Sequence, residues 1–170
     1  MTMTLREFWT VAHGMVFGAI YLLAFAGGFA GLWSMRGGLV TREGLAERML
    51  RMKAGMWVMT IMAWLTVVTG TYIVYPWYRA PIPDSPRSKL VADAAKRAWH
   101  TFGMEWKEHV GWFAPILATA VLFLVLYYGS RLSERDDLRR AAMVLFAVAF
   151  LAAAVAGLFG AFLNKVAPIL

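Results

Sequence analysis

The stretch that decides the fold of this chain is Trp106–Tyr128, which reads WKEHVGWFAPILATAVLFLVLYY. Beyond His109 it contains no charged residue, and it ends in two tyrosines, a residue type that favours the boundary between lipid and water. About 20 mainly apolar residues are enough for a helix to cross the hydrocarbon core of a membrane. We therefore interpret residues 107–129 as a membrane span.

The composition extends this interpretation to the whole chain. Of its 170 residues, 61% are hydrophobic and 16% are charged, whereas soluble domains average about 45–50% apolar and about 25% charged residues. Three further apolar runs, 8–33, 54–78 and 141–163, are long enough to cross a lipid bilayer. The sequence therefore predicts one all-α domain over 1–170. We expect an integral membrane four-helix transmembrane bundle with short interfacial helices in its connections.

Several classes of protein are disfavoured by the same composition. The chain has no cysteine, which excludes disulfides, thiolate metal sites and iron–sulfur clusters. Its net charge is +7, but the basic residues fall in the connections, where Lys and Arg normally flank membrane helices, so we do not predict nucleic-acid binding. We expect no buried Asp, Glu, Lys or Arg in the spans, which argues against a transporter or channel. No nucleophilic triad or phosphate-binding motif indicates a catalytic role.

Local patterns predict further features of the helices and connections. Thr41 is a candidate N-cap for a short amphipathic helix before the second span. Residues 88–99 place apolar side chains on one side and predict another helix on the membrane surface. Pro115 is expected to kink the third span because it removes a backbone hydrogen bond. The methionines that recur at helical spacing are expected to pack in the core: Met52, Met56 and Met59.

All three histidines are predicted to lie at one end of the bundle. Because successive spans run in opposite directions, both chain termini share this side, and so do His13, His100 and His109. The short connections on the opposite side carry nine Lys or Arg residues, against eight spread over the histidine side. The positive-inside rule therefore favours both termini outside, which is the periplasm for the bacterial inner-membrane protein that we expect.

His13 and His109 are the candidate axial ligands of one haem. They begin two different spans at matched depth, and imidazoles on facing helices suit haem iron. Around them, the glycines are expected to leave space for a flat macrocycle, the aromatic residues to enclose it, and the basic residues to pair with its propionates. These residues are Gly14, Gly18, Phe17, Trp112, Phe113, Arg79 and Lys107.

His100 is the alternative ligand in this hypothesis. A continuous helix would place it on the face opposite His109, so the two could not both bind one iron, and we expect His100 near the surface. A quinone pocket near Glu108 and His109 is a second hypothesis. A non-haem metal at Glu105 and His109 is disfavoured because their spacing differs from that of di-iron bundles. Each histidine taken alone is also explained as an ordinary interfacial residue.

The layout resembles the small four-helix b-type cytochrome subunits that anchor respiratory and other redox complexes in membranes. This resemblance implies haem b held by His13 and His109 in a subunit that transfers electrons without catalysing a reaction itself. It also implies other subunits of a membrane redox complex as partners, with quinone or a cytochrome on the histidine side. Two alternatives remain open: a cofactor-free scaffold subunit of a larger complex, and a quinone-site subunit without haem.

Overall fold

Four long apolar helices make up most of the molecule. The computed structural model describes residues 3–36 and 41–169, and these residues contain five helices and no strand. Four of the helices are long and apolar enough to cross a membrane: Leu5–Ser34 (α1), Glu43–Tyr78 (α2), Trp99–Ser133 (α4) and Asp136–Val166 (α5). The short helix α3, Pro86–Ala92, lies in the connection between α2 and α4. The prediction of an all-α membrane bundle is confirmed.

The second membrane helix begins much earlier than its predicted span. Its regular α-helical part runs without interruption over Arg42–Thr69, so the separate interfacial helix expected before residue 54 is wrong. Thr41 is the N-cap, as predicted, and its Oγ1 accepts a hydrogen bond from the Gly44 N–H at 3.2 Å. The helix continues because its polar first turns contain no proline to stop it, and charged residues propagate a helix well.

The helix in the long connection is shorter than the 88–99 segment that the sequence predicted. It ends at Ala92 because the Asp93 carboxylate accepts a hydrogen bond from the Ala95 N–H at 3.0 Å. Such a local bond offers the backbone an alternative to the helix. Lys96 lies 3.0 Å from the same carboxylate and, through this contact, holds the pKa of Asp93 below its usual range.

The four membrane helices form a closed ring. Helix α1 packs against α2 and α5, and α4 packs against the same two helices, so α1 and α4 lie diagonally across the bundle. Met52, Met56 and Met59 are buried in the shared core, as predicted. Within this core, Gly28 of α1 allows a close approach, because a Cβ atom there would lie 3.0 Å from the ring of Phe146. The core therefore fills the middle of the bundle.

Helix α4 is interrupted one turn before its proline. Residues 110–112 form a turn between two α-helical segments. Pro115 has no N–H with which to bond the carbonyl oxygen of Gly111. That oxygen instead accepts a hydrogen bond from the Ala114 N–H at 3.2 Å. The predicted disturbance at the proline is present, and it separates the part of α4 that carries the histidines from the part in the core.

Candidate functional site

Three π-helical turns lie at the end of the bundle that contains His13, His100 and His109, here called the histidine end. They span Ala12–Gly18 in α1, Gly70–Val74 in α2 and Trp99–Met104 in α4. Such turns are rare and occur often at functional sites. No pattern in the sequence predicted them, because a π-helical turn has no composition that distinguishes it from an α-helix. Their clustering marks this end as the candidate site.

His13 packs its ring against α2 and has one ring nitrogen already engaged. Its Nδ1 lies 2.7 Å from the carbonyl oxygen of Thr66 and 3.5 Å from the hydroxyl of Thr69. Because a carbonyl oxygen only accepts hydrogen bonds, Nδ1 must carry the proton and Nε2 keeps a free lone pair. Histidines that bind metals commonly have their other nitrogen held in this way. His13 is therefore prepared to use Nε2 as a ligand or an acceptor.

Gly70 provides the space that the His13 ring occupies. A Cβ atom at position 70 would lie 2.5 Å from Cε1 and 3.0 Å from Nδ1 of His13. Of the two glycines predicted to relieve crowding, Gly18 faces Thr66 at 4.0 Å, but Gly14 has nothing within 4 Å of its Cβ position. Sequence reasoning missed Gly70 because the residue that needs the space lies on another helix, 57 positions away in the chain.

Lys107 reaches towards the same region from the diagonal helix α4. Its Nζ would lie 2.8 Å from a Cβ atom at Gly160 of α5. Among the residues that the structure describes, Lys107 has no carboxylate partner. The indole N–H of Trp106, the preceding residue, is buried and has no acceptor within residues 3–36 and 41–169. Lys107 is half-buried, and an ion in a membrane helix usually faces the bundle interior or water.

His109 faces out of the bundle. Its side chain is 73% exposed, and its Nδ1 lies 2.9 Å from the carbonyl oxygen of Glu105, one turn earlier. By the argument used for His13, Nε2 is again the nitrogen with the free lone pair. The structure thus gives His13 and His109 matching tautomers at the same end of the bundle. It does not bring the two rings together.

His100 is buried, and the expectation that it stays near the surface is wrong. It is 7% exposed, and its Nδ1 lies 3.0 Å from the hydroxyl oxygen of Tyr78 at the end of α2. Leu90 of α3 and Leu163 of α5 are buried around Tyr78 in the same small cluster. The connection folds over His100 because its apolar side chains, Leu90 above all, need burial. His100 therefore ties this connection to the bundle.

Arg79 is already occupied by two carboxylates. Its guanidinium lies 3.4 Å from Glu108 Oε2 and 3.6 Å from Glu105 Oε1, and it also packs over the ring of Tyr75 at 5.0 Å. This ion-pair cluster lies at the outer edge of the histidine end. To meet a propionate, Arg79 would have to exchange one of these carboxylates for it.

The predicted aromatic wall is only partly turned inward. Trp112 packs edge-on against Trp64 of α2, with 6.3 Å between ring centroids. Phe17 is partly buried, but Phe113 is exposed on the outer face of α4. Of the three aromatic residues predicted to enclose a macrocycle, Phe113 therefore points towards lipid.

No protein-family model, curated protein or solved structure matches this chain. The site is therefore defined by its own chemistry, which consists of an inward-facing imidazole, an unpaired ammonium and a nearby orphan indole N–H. Together these groups can coordinate one atom through nitrogen and can bind a negatively charged or carbonyl oxygen.

Proposed function

We propose that this protein is a membrane-embedded electron-transfer subunit that binds one b-type haem at the histidine end, with His13 and His109 as axial ligands. When bound, the haem supplies reversible one-electron transfer at its iron. The protein's part is to hold the ligands, to exclude water and to meet the propionates. In this proposal the subunit passes electrons within a larger redox complex in the membrane.

The observation that carries the proposal is the hydrogen bond from His13 Nδ1 to the carbonyl oxygen of Thr66, at 2.7 Å. It fixes the orientation of the ring and leaves Nε2 unprotonated, as axial ligation of iron requires. The unusual fit of the ring against Gly70 adds that this position has been shaped around an imidazole.

His109 offers the second ligand, and the structure indicates what must move for it to bind. Its Nε2 is free because Nδ1 bonds the Glu105 carbonyl oxygen, but the ring faces outward. The turn at residues 110–112 separates the Glu105–His109 segment from the rest of α4. The proposal therefore includes a change in the orientation of the His109 side chain on haem binding.

In the same proposal, Lys107 is the expected partner of a haem propionate. A haem propionate would supply the negative charge that the Lys107 ammonium lacks among the described residues. Buried ions are stable in membranes only when they are paired or reach water. The buried indole N–H of Trp106, which has no acceptor within residues 3–36 and 41–169, is a second donor at the histidine end.

The test is an ultraviolet–visible spectrum of the detergent-purified protein, expressed with a haem precursor and recorded before and after reduction with dithionite. We expect a Soret band with sharp reduced α and β bands, as low-spin bis-imidazole haem gives. His13→Ala and His109→Ala should each lower the haem content more than about ten-fold. His100→Ala is the matched control, because it removes a histidine from the same end and should keep the haem. Full haem content in both His13→Ala and His109→Ala would refute the ligand assignment.

A quinone site without haem is the second candidate, and one observation favours it. The side chains of Lys107 and Trp106 face α5 at the histidine end, whereas His109 faces outward. A quinone needs only hydrogen-bond donors at its carbonyl oxygens, which Lys107 and Trp106 can supply. This moves the hypothesis away from Glu108 and His109, where the sequence had placed it. Solvent extraction of the same purified protein decides between the candidates: quinone with no Soret band supports this one.

A further inference from the structure

A groove between α1 and α5 lies at the end of the bundle opposite the histidines. It has a volume of about 690 Å³ and combines two kinds of surface. Its wall is apolar and includes Phe29 and Trp33 of α1 and Val144 of α5. Its mouth is lined by four charged side chains: Arg36, Asp136, Arg139 and Arg140. We call this feature the arginine groove.

Two of the three guanidinium groups in the arginine groove pair with the same carboxylate. Arg139 Nη2 lies 2.6 Å from Asp136 Oδ1, and Arg140 Nη2 lies 3.7 Å from the other oxygen of the same side chain. Arg36 makes no ion pair within the described residues and instead packs its guanidinium over the ring of Trp33, at 3.8 Å. The mouth of the groove therefore carries two positive charges in excess.

Arg139 gives an independent observation that points to an anionic ligand in the groove. Arg139 is only 3% exposed, and its Nη1 donates a hydrogen bond to the carbonyl oxygen of Met35 at 3.0 Å. Its Nε is buried and has no acceptor within residues 3–36 and 41–169. Leaving a buried donor without an acceptor costs about 1–3 kcal/mol, and more for a charged group. An anionic oxygen in the groove would remove this cost.

We propose that the arginine groove binds an anionic phospholipid, with the phosphodiester at the guanidinium groups and an acyl chain along the apolar wall. Guanidinium groups bind phosphate oxygens in pairs of parallel hydrogen bonds. Trp33 and Val144 are exposed on the lipid-facing surface, so a lipid chain can lie against them without any rearrangement. Basic pockets between membrane helices are known to hold acidic headgroups. The proposal is independent of the haem, which would bind at the other end of the bundle.

Binding can be measured on the full-length purified protein by native mass spectrometry with added phosphatidylglycerol, phosphatidylcholine or inorganic phosphate. We expect phosphatidylglycerol to bind clearly more tightly than phosphatidylcholine. The double variant Arg36→Gln/Arg140→Gln should weaken phosphatidylglycerol binding about 10- to 30-fold, since each basic residue near an anionic headgroup contributes about a five-fold factor. This variant keeps Arg139, whose bond to Met35 holds α1 and α5 together.

The matched control is Arg51→Gln/Arg135→Gln. It removes the same charge from the same end of the bundle, but neither residue lines the arginine groove. We expect it to change phosphatidylglycerol binding less than about two-fold. Equal losses in the two double variants would overturn the proposal, because they would show only a general effect of surface charge. Equal binding of the two lipids by the unchanged protein would overturn it as well.

A third variant separates a lipid site from a simple anion site. Val144→Trp would fill the apolar wall and leave the guanidinium groups of Arg36, Arg139 and Arg140 in place. We expect it to weaken phosphatidylglycerol binding at least about five-fold, because the acyl chain loses its contact surface. If Val144→Trp binds phosphatidylglycerol as the unchanged protein does, or if inorganic phosphate displaces the lipid, the groove recognises only an anion and the lipid proposal fails.

Discussion

A single absent side chain, at Gly70, decides where the His13 ring can lie. The ring occupies the volume that any Cβ atom at position 70 would need. Its hydrogen bond to the Thr66 carbonyl oxygen then sets the tautomer. The absence of a side chain at position 70 therefore affects the ligand chemistry of His13 through a contact between two helices. Neither helix alone would reveal this contact.

Gly70→Ala is therefore expected to displace the His13 ring and to lower haem content several-fold. Crowding of this kind also destabilises a protein by about 1–3 kcal/mol, measurable as a lower temperature of thermal unfolding. Gly14→Ala is the control, because nothing lies within 4 Å of its Cβ position, and alanine improves helix propensity by up to about 1 kcal/mol. Haem content and melting temperature that are the same in both variants would show that Gly70 does not position His13.

At the scale of helices, the long connection between α2 and α4 is held down by one buried polar contact. Tyr78 ends α2, and its hydroxyl group meets His100 at the start of α4, while Leu90 of α3 covers the pair. Both groups are almost fully buried, so each depends on the other for its hydrogen bond. The connection is therefore part of the folded structure and closes the histidine end.

Tyr78→Phe should destabilise the protein by about 0.5–1.5 kcal/mol through loss of this bond. It should leave the haem spectrum unchanged, since neither Tyr78 nor His100 is assigned as a ligand. Tyr72→Phe provides the matched control because Tyr72 is on the same helix and exposed. Thermal unfolding followed by circular dichroism measures the difference. A loss of the Soret band in Tyr78→Phe alone would reveal that His100 takes part in haem binding.

For the whole molecule, the four membrane helices separate two chemically different ends. The histidine end collects the π-helical turns and the two candidate ligands. The opposite end carries the arginine groove, with its two unneutralised positive charges. The electron transfer proposed at one end and the lipid binding proposed at the other require only a single orientation of the protein in the membrane.

This arrangement can be tested by labelling, because the chain has no cysteine of its own. Asp84→Cys and Glu134→Cys place one thiol in an exposed position at each end of the bundle. An impermeant maleimide added to intact bacterial spheroplasts should label Asp84→Cys, while Glu134→Cys should react only after permeabilisation. This expectation follows from the positive-inside rule. Labelling of both positions from one side would contradict the four-span topology, whereas the reverse pattern would invert the orientation alone.

The sequence alone determined the four long apolar helices, the number of spans and the shared end of the three histidines. Apolar run length and the alternation of direction suffice for these features, because a helix that crosses lipid must satisfy its own backbone hydrogen bonds. The cap at Thr41 and the disturbance near Pro115 could also be predicted from the sequence, since both depend on residues close together in the chain.

Only the tertiary structure decided which way the side chains face. His109 lies outside, Lys107 is half-buried against α5, and His100 is buried because a distant connection covers it. A spacing of two residues puts Lys107 and His109 about 200° apart on a helix, but only the packing decides which of them faces inward. Rotation of a helix about its axis depends on how all four helices pack, and a single π-helical turn shifts the facing of every residue beyond it. The contacts at Gly70 and at Arg139 join positions far apart in sequence, so no local pattern could predict them.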